Sequence, residues 1–538
     1  MNVKTNKFKL KSNLICAIMV LFSMVTFAQN QQKIAEAWDL LLSNDRAQSR
    51  EVFEKHLRKD IDKSMEILLL DIYLDNEEGK LIHNTDFVRQ FLNFDEAKYY
   101  LYANWYSNQL VGDVNNIGYN DYSHEKIDLL AADATLGKDL IVLYYKYLSD
   151  KKRRNQDGLT NLSQEINAVN SWQFCGVFEN LNDSGLETIY EPETYAKNDK
   201  LFDASSNGKV GWYNPVDKQN TGGYHFYYNE QEYGAGIMYA QTFIESDENQ
   251  RVYLNLGASS SVKIFLNDIE IYQNNQILFS DLNAYRIALN LPKGMNRLLV
   301  KSSTGKNNDY FFVSLTDENY QAINGLKFYD QYRDYQKGSI ADIQPQVKAP
   351  FFEEYFVQRL KDQPDNPLYS INLTKVYLSN GKHEHAEKTI KKLYQKYPNS
   401  SMLRMIMATI FDTKGESQRA KELYENIAAT DKDYYYNIIR TIDDSNVLES
   451  KSIAELEKIR DEAVGTERMY IYHLVDFFIA ARKMDKEKAI EAYEALVETS
   501  ANTEGILNAY ASVLFSITSD RERVIDFLEK RHKKSVNE

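Results

Sequence analysis

Residues 239–272 read YAQTFIESDENQRVYLNLGASSSVKIFLNDIEIY, and residues 284–303 read AYRIALNLPKGMNRLLVKSS. Both stretches consist of short runs in which apolar and polar residues alternate, and Gly, Pro or Asn-Asp pairs separate the runs. The pair Asn267-Asp268 is typical of a tight hairpin turn. Because alternation places successive side chains on opposite faces of a strand, the pattern predicts an antiparallel sheet with short connections.

The run RVYLNL shows the alternation most clearly. Val252, Leu254 and Leu256 share one face, and Tyr253 and Asn255 share the other. We therefore expect one face in a hydrophobic core and the other in contact with water. Similar runs without a helical period surround this one, which predicts a jelly-roll β-sandwich that closes its own edges.

Helical periodicity occurs on both sides of this β-region. Before it, Ile34, Trp38, Leu41 and Leu42 fall at i, i+4, i+7 and i+8, which places them on one helix face. After it, small residues recur with a fixed period. Ala386, Ala420, Ala454 and Ala489 are separated by 34, 34 and 35 residues, the period of tetratricopeptide repeats.

Two of these repeats contain more of the tetratricopeptide pattern. Counted from Pro367, the first repeat has Leu373, Thr374, Tyr377, Gly381, Ala386, Ile390 and Pro398 at the expected places. The second repeat has Met407, Ala408, Phe411, Gly415, Ala420 and Tyr424. Small residues at fixed positions let paired helices approach closely, so the pattern predicts a solenoid of helix pairs.

The predicted fold class is therefore multidomain α and β, with a helical repeat region, an antiparallel jelly-roll β-sandwich and a tetratricopeptide-type α-solenoid. The predicted units are a signal peptide (1–28), an N-terminal helical repeat-like domain (29–165), the jelly-roll (170–318), a linker laid against a neighbouring domain (319–350) and a tetratricopeptide repeat domain (351–538).

The first residues have the pattern of a secretory signal. Lysines precede the apolar run from Leu14 to Phe27, and Ala28 offers a small residue at the cleavage point. A membrane span needs about 20 apolar residues, so a cleaved signal is favoured over a transmembrane anchor. We expect a secreted or periplasmic protein without a transmembrane segment after signal removal.

The composition of the chain limits the classes of partner that it is expected to bind. The formal net charge is −14, and loss of the lysine-rich leader makes it more negative. Such an acidic chain is a poor ligand for nucleic acid or anionic membranes. Cys175 is the only cysteine after the predicted signal, so no intramolecular disulfide is expected.

The order of these units resembles the amino-terminal part of secreted bacterial tetratricopeptide proteins. In that family a domain of unknown function (DUF3857) is followed by a transglutaminase-like domain. The matching stretches are residues 176–180, 192–193, 210–212, 239–243, 256–268 and 291–301. The resemblance implies a galactose-binding-like jelly-roll with helical repeats on both sides, and it identifies architecture rather than chemistry.

The same resemblance implies no enzyme activity for the residues present. The family's enzyme-like part is expected after the second repeat region, and the sequence reaches Glu538 without it. A transglutaminase-like site needs a Cys nucleophile with a His and an Asp or Asn. Cys175 lies in the first predicted strand of the sandwich, so we expect no inherited triad, no catalytic residue, no cofactor and no metal.

Other candidate sites have simpler interpretations. Cys175, between Phe174 and Gly176, is expected to be a small core residue rather than an activated thiol. His383 and His385 could begin a metal site, but they are expected in an exposed turn between repeat helices. The cation run at residues 151–154 is expected to be a solvated helix end or linker.

Aromatic residues in the loop-rich half of the sandwich are the candidate ligand contacts. Flat amphipathic rings beside amide side chains can stack on a sugar and bind its hydroxyl groups. The alternative is that the tryptophan fills the core and the tyrosines cover strands. The candidate contacts are Trp212, Tyr213, Asn214, Tyr224, Tyr227 and Tyr228.

Two functions follow from this sequence. The first is an exported, non-catalytic scaffold or adaptor that binds a protein or peptide partner of the cell envelope through its helical repeats. The alternative is a carbohydrate-binding module protein that uses the loops of the sandwich.

Overall fold

The computed structural model describes residues 30–80, 85–104, 121–215, 224–226, 236–275, 282–304, 310–432, 434, 451–465, 469–499 and 504–532. The predicted signal peptide lies outside the described residues. Helices precede and follow a β-region, so the predicted combination of helices with antiparallel sheet is confirmed.

The helices before the β-region are α1 (residues 30–42), α2 (Arg46–Val52), α3 (Met65–Glu78), α4 (Asp86–Phe91), α5 (Ala97–Ala103), α6 (Asp121–Ala132), α7 (Leu140–Lys152) and α8 (Gln156–Glu165). Helix α9 (Ile340–Ile343) is a single turn after most of the strands. The later helices are α10 (Phe351–Asp362), α11 (Pro367–Ser379), α12 (His383–Lys396), α13 (Ser401–Thr413), α14 (Ser417–Thr430), α15 (Ile453–Glu462), α16 (Met469–Arg482), α17 (Lys486–Thr499), α18 (Glu504–Thr518) and α19 (Arg521–His532).

Local chemistry sets where several of these helices begin. At α11, the side chain of Asn366 accepts a hydrogen bond from the backbone N–H of Leu368, and Pro367 occupies the first helical position. At α13, the Ser400 hydroxyl accepts from the backbone N–H of Leu403. These caps satisfy N–H groups that have no partner inside the helix.

The strands are β1 (Gln173–Phe178), β2 (Phe202–Asp203), β3 (Lys209–Val210), β4 (Tyr224–Phe226), β5 (Gly236–Ser246), β6 (Gln250–Ala258), β7 (Val262–Leu266), β8 (Ile269–Asn274), β9 (Tyr285–Leu291), β10 (Gly294–Thr304), β11 (Tyr310–Thr316), β12 (Lys327–Tyr329) and β13 (Gln346–Lys348). Sheet I has the order β1-β5-β10-β7-β8, with β12 also paired to β5. Sheet II has the order β13-β9-β6-β11-β4, and β2 pairs with β3 alone. All these pairings are antiparallel.

The two sheets face each other across one hydrophobic core. Val252, Leu254 and Leu256 of β6 are each fully buried there, as their alternation predicts. The expectation that the opposite face meets water is wrong for part of sheet II. Asn255 is also fully buried, and Phe312 of β11 packs into the core of the helices. Alternation separates the two faces of a strand, but it does not show what covers the second face.

The segment at residues 319–350, expected to be a linker, is integrated into the sandwich. It adds β12 to sheet I and β13 to sheet II, and the Tyr320 hydroxyl accepts a hydrogen bond from the backbone N–H of Phe351. Each of its strands has three residues, which is too short to show an alternating pattern in the sequence.

The helices on the two sides of the sandwich share one hydrophobic core, although the sequence places them in separate domains. The phenol of Tyr369 in α11 donates to the Glu66 carboxylate of α3 over 2.7 Å. The rings of Tyr99 in α5 and Tyr355 in α10 stack with 4.0 Å between centroids. A helical period shows which residues are apolar, but not which distant helix covers them.

The later helices form hairpins whose turns repeat. The residue with positive φ is Gly381 between α11 and α12 and Gly415 between α13 and α14, 34 residues later. Met484 and Ser519 occupy the corresponding turns of the hairpins α16–α17 and α18–α19. A left-handed residue just after a helix lets the chain reverse tightly, which explains the two glycines. Among the described helices, none is long and apolar enough for a membrane crossing.

Candidate functional site

Trp212, the first predicted ligand contact, is buried under the loops that cover the outer face of sheet I. Its side chain is 7% exposed and belongs to a small core with Cys175, Phe178 and Tyr239. The indole N–H donates to the carbonyl oxygen of Tyr195 over 3.2 Å. The ring is therefore a packing element of this small core, and its contact with a ligand stays a prediction.

The next two predicted contacts also have structural partners. Tyr213 pairs its backbone N–H and C=O with those of Phe174, in both cases over 2.9 Å. The Asn214 carbonyl oxygen accepts from Gln173 and Gln331, and its amide donates to the carbonyl oxygen of Asp330. These contacts hold the loop to β1 and to the chain after β12, so they leave Asn214 little capacity for a ligand.

The remaining predicted contacts cannot be assigned to a site. Tyr224 begins β4, which pairs with β11, and its side chain is not among those described. Tyr227 and Tyr228 lie outside the described residues.

The loop cover over sheet I rests on a buried polar network. Arg297 of β10 is fully buried, and Lys301 of the same strand is 1% exposed. The Lys301 ammonium donates to the Glu193 carboxylate over 2.7 Å, and the Tyr239 phenol donates to the same oxygen over 2.8 Å. Buried charges with several hydrogen bonds stabilise one arrangement of the cover.

A different pocket, of about 800 Å³, lies where the sandwich meets the helices on both sides of it. We call it the interdomain pocket. Its lining residues come from α5, α7, sheet II, the segment after β11 and the start of α10. Junctions between domains are common places for ligand sites, and this volume is in the usual range for them.

Arg286 of β9 forms part of the floor of the interdomain pocket and is 7% exposed. Its guanidinium carbon lies 4.1 Å from the ring centroid of Tyr253 and 3.9 Å from that of Tyr320. The two aromatic rings therefore hold the cation through cation–π contacts. Its NH2 group donates to the backbone carbonyls of Asp317, over 3.2 Å, and of Glu318, over 2.6 Å.

Asn283 is a second buried polar residue of this floor, and it is 3% exposed. Its φ is 59°, in the left-handed region that asparagine tolerates better than most residues. Tyr320 has a φ of 62°, which is unusual for a bulky side chain. Strained backbone of this kind is often found at binding sites.

Two polar atoms of the floor lack hydrogen-bond partners within the described part of the chain. They are the Arg286 Nε and the Asn283 Oδ1. Leaving a buried polar atom unpaired costs about 1–3 kcal/mol, so such atoms call for an explanation such as a bound molecule or stored strain.

Tyr102 also lines the pocket and joins its aromatic wall to Asp139 at the start of α7. The Tyr102 phenol donates to the Asp139 carboxylate over 3.0 Å, and Asp139 caps α7 by accepting from the backbone N–H of Ile141. Burial raises the pKa of Tyr102 well above its usual value, with a further contribution from Asp139. Burial also raises the pKa of Asp139, against the effect of its hydrogen bonds.

Aromatic packing between α5 and α10 fixes this aromatic wall. Tyr102 stacks on Phe352 with 4.9 Å between centroids, and its ring also meets the edge of Phe351. The Lys98 ammonium lies 5.3 Å from the ring centroids of both Tyr99 and Phe351. Because these rings are packed against neighbouring helices, the wall is held in place before any ligand binds.

The amino-acid sequence alone does not indicate the interdomain pocket. Tyr253 was predicted to lie on a strand face in contact with water, and residues 319–322 were predicted to belong to a linker. The one available signal was the polar side of the alternation in β6 and β9, where Tyr253 and Arg286 fall. Joining these residues to α5 requires the tertiary structure.

A second pocket, of about 840 Å³, lies at one end of the sandwich, near the turn between β9 and β10. We call it the end pocket. Its amide side chains bind the chain itself: Asn296 donates to the Pro292 carbonyl over 2.8 Å, and Asn267 donates to Asn296 over 2.8 Å. These amides stabilise turns, so the end pocket is a weaker candidate.

The other candidate groups lie away from both pockets. Cys175 is fully buried, as expected for a core residue, and burial raises the pKa of its thiol. His383 and His385 both lie in α12, so the expectation that they lie in a turn is wrong. His383 is 7% exposed, whereas His385 is exposed as expected. Burial lowers the pKa of His383. Among the described residues, no group of three His, Cys, Asp or Glu could hold a metal ion.

The cation run ends α7, as expected for a helix end. Arg153 is anchored by its guanidinium, which donates to Asp128 over 2.9 Å and to Asp150 over 3.1 Å.

No family model, no curated protein and no solved structure matches this chain.

Proposed function

We propose that this chain is a non-catalytic binding protein whose ligand is a carbohydrate held in the interdomain pocket. One observation carries the proposal. The pocket combines half-buried aromatic rings, among them Tyr99, Tyr253 and Tyr320, with exposed amide side chains at its rim.

Carbohydrates suit this combination. The C–H groups of a sugar ring pack against aromatic faces, while its hydroxyl groups need both donors and acceptors around them. The rim offers the amides of Asn167, Asn319 and Gln321. The lining also includes Ser314 and Thr316, whose hydroxyls accept from the Asn255 amide. The lining contains neither His nor Cys among the described residues, which favours binding over nucleophilic chemistry.

The proposed site differs in place from the one expected from the sequence. The loops near Trp212 support the sandwich, whereas the interdomain pocket uses the outer face of sheet II and both helical segments. The strand order supports a jelly-roll type of sandwich, and the repeated left-handed turns support tetratricopeptide-type hairpins.

Replacing Gln321 with alanine is expected to weaken glycan binding about three- to tenfold, because one hydrogen bond contributes roughly 0.5–1.5 kcal/mol. The side chain is exposed, so the fold should be unaffected. The full chain would be screened on a glycan array, and the best glycan would then be titrated by calorimetry with wild type and variant.

Gln336→Ala is the matched control, since Gln336 is an exposed amide that lines the end pocket. Its affinity should equal that of wild type. Loss of binding in Gln336→Ala with none in Gln321→Ala would move the site to the end pocket. The absence of any glycan that binds at millimolar concentration would contradict the proposed function.

A second candidate function is the scaffold or adaptor of the cell envelope, exported by the predicted signal peptide. The face of α11 with Tyr369 and Asn372 is already covered, because these residues bind Glu66 and Asn104 of the earlier helices. The observation that favours a partner lies at the other end of the helices. Phe515, Ile525 and Leu528 of α18 and α19 are 52%, 41% and 44% exposed.

Replacing both Ile525 and Leu528 with lysine is expected to abolish capture of a protein partner from envelope extract, because the two side chains are neighbours at i and i+3 on α19. Met484→Lys is the control, because Met484 is an apolar residue that is 86% exposed and lies away from α19, in the turn between α16 and α17. Mass spectrometry of the captured proteins is the measurement. The scaffold is contradicted if both variants retain the same partner as wild type.

A further inference from the structure

The guanidinium of Arg286 is a buried cation without an ion pair in the described part of the chain. Its NH2 group donates to two backbone carbonyls, and its guanidinium also bonds the Tyr320 hydroxyl, so these described partners are all uncharged. Its Nε has no partner there. Buried charges in proteins are normally paired with an opposite charge, because taking a charge out of water is costly. The partners of Arg286 in the described residues stabilise its charge without neutralising it, so this floor favours an anionic group.

Charge within the interdomain pocket is divided between floor and rim. The lining carboxylates Glu165, Glu318 and Glu354 are exposed to water. Arg286 is buried and Lys98 is half-buried. Neither cation forms a salt bridge with a described carboxylate, although the formal net charge of the chain is −14. The deeper part of the pocket is thus the part that favours an anion.

Asp139 also lines the pocket, and its electrostatic partner among the described pocket cations is Lys98 rather than Arg286. Its carboxylate already accepts from the Tyr102 phenol and from the first turn of α7, whose amino-terminal end attracts negative charge. A ligand carboxylate would meet a cation that is fixed between two rings, with no rearrangement of a flexible side chain. A planar guanidinium held in one orientation is well suited to carboxylate recognition.

We propose that the ligand of the interdomain pocket is an acidic sugar of the uronate type, whose carboxylate pairs with Arg286 while its ring packs against the aromatic wall. This inference rests on the proposed carbohydrate-binding function and names the class of sugar. The carboxylate provides the charge that the floor lacks, and the hydroxyl groups use the amides and hydroxyls of the lining.

The test compares two disaccharides that differ only in one group, cellobiose and cellobiouronate, titrated into the full chain by calorimetry. Wild type is expected to bind the uronate about 10- to 100-fold more tightly, since a hydrogen-bonded charge pair is worth that ratio. In Arg286→Gln the two disaccharides should bind with equal affinity. In Arg251→Gln the preference should persist, because Arg251 is an exposed arginine of β6 that lines the end pocket.

Circular dichroism and a thermal melt would establish that Arg286→Gln is folded. If it is not, Lys98→Gln replaces it. Lys98 lines the same pocket beside the aromatic wall, so its loss should lower the preference for the uronate by a smaller factor. Raising the salt concentration from 50 to 500 mM should also reduce the preference in wild type.

The outcomes separate the two proposals. Equal binding of both disaccharides by wild type overturns the acidic-sugar inference and leaves carbohydrate binding intact. Binding of no glycan, neutral or acidic, overturns the proposed function itself. A preference that is unchanged in Arg286→Gln overturns the assignment to this floor. Equally tight binding of a tri-aspartate peptide at the same site would replace the sugar with an acidic peptide.

Discussion

Replacing Arg297 with alanine is expected to lower the free energy of unfolding of the β-sandwich by about 3–5 kcal/mol, because it leaves buried partners without their cation. The side chain is fully buried between sheet I and its loop cover. Its guanidinium donates to Gln241 Oε1 (2.9 Å), Pro192 O (2.6 Å), Glu193 O (3.2 Å) and Asp268 Oδ1 (3.1 Å).

Removing this side chain also removes a contact with Trp212, whose ring centroid lies 5.6 Å from the guanidinium carbon. The loss is therefore expected in both the unfolding transition and the tryptophan signal. Urea unfolding of the full chain, followed by circular dichroism and fluorescence, is the measurement. Arg251→Ala is the control, since that arginine is exposed and should change stability by less than about 0.5 kcal/mol.

A loss below about 1 kcal/mol in Arg297→Ala would contradict the role assigned to this network, because it would mean that water replaces the guanidinium at little cost.

Replacing Glu77 with glutamine is expected to stabilise the chain above pH 7 by up to about 3 kcal/mol, and by less than about 1 kcal/mol at pH 5. Glu77 is 5% exposed between α3 and the later helices, and burial raises its pKa from 4.5 to about 7 despite the nearby Arg46. The Tyr434 phenol donates to its carboxylate over 3.1 Å, and a glutamine oxygen can accept the same bond.

The sign follows from the direction of the shift. A carboxyl group with a raised pKa is favoured in its neutral form when folded. The protonated Glu77 carboxyl therefore makes its full contribution to folding stability below pH 4.5, the pKa of glutamate in the unfolded chain. This contribution is lost as the pH rises through about 7, the pKa in the folded chain. Glutamine cannot ionise, so the difference between variant and wild type should grow across this window.

Thermal melts of both proteins at half-unit steps from pH 5 to pH 8.5 test this prediction. Glu425→Gln is the control, because Glu425 is an exposed residue of α14, and its curve should run parallel to wild type. Lys375, which also lies in this interface, has its pKa lowered to about 7 by burial. Thermal melts of Lys375→Met over the same pH range would separate the effect of Lys375 protonation from that of Glu77. If the difference in thermal stability between Glu77→Gln and wild type does not change with pH, the prediction is contradicted.

Arg297 and Glu77 both lie where segments that are distant in sequence pack against each other. Arg297 ties a loop cover to a strand roughly one hundred residues later, and Glu77 lies between helices from the two sides of the sandwich. The interdomain pocket depends on the same union, since α5 and α10 form its aromatic wall. The binding site is thus a product of tertiary assembly rather than of one domain.

Local patterns were sufficient for much of the fold. The alternation at Val252, Leu254 and Leu256 predicted a buried strand face, which is confirmed, and the turn at Asn267-Asp268 joins β7 to β8 as a hairpin. The glycines at residues 381 and 415 were placed by the repeat pattern, and both adopt the left-handed conformation that ends a helix. The signal peptide and the family resemblance stay predictions.

The candidate site was predictable only in part. Trp212 and Tyr253 are both aromatic residues beside polar ones, so their sequence surroundings do not distinguish a core residue from a ligand contact. Trp212 is a core residue because the loop cover buries it. Tyr253 lines a pocket because its strand face meets the helices. Arg286 looked like an ordinary outward residue of a strand, because a strand pattern contains no information about the neighbouring domain.

The stretch at residues 239–303 by itself determined antiparallel strands, their inward faces and the tight turns between them, since these depend on neighbours in sequence and on the two-residue period of a strand. Only the tertiary structure decided that the outer face of sheet II meets the helices, that helices from both sides share one core, and that Arg286 faces a pocket. The physical reason is that burial and charge pairing act between residues that are close in space, whatever their separation along the chain.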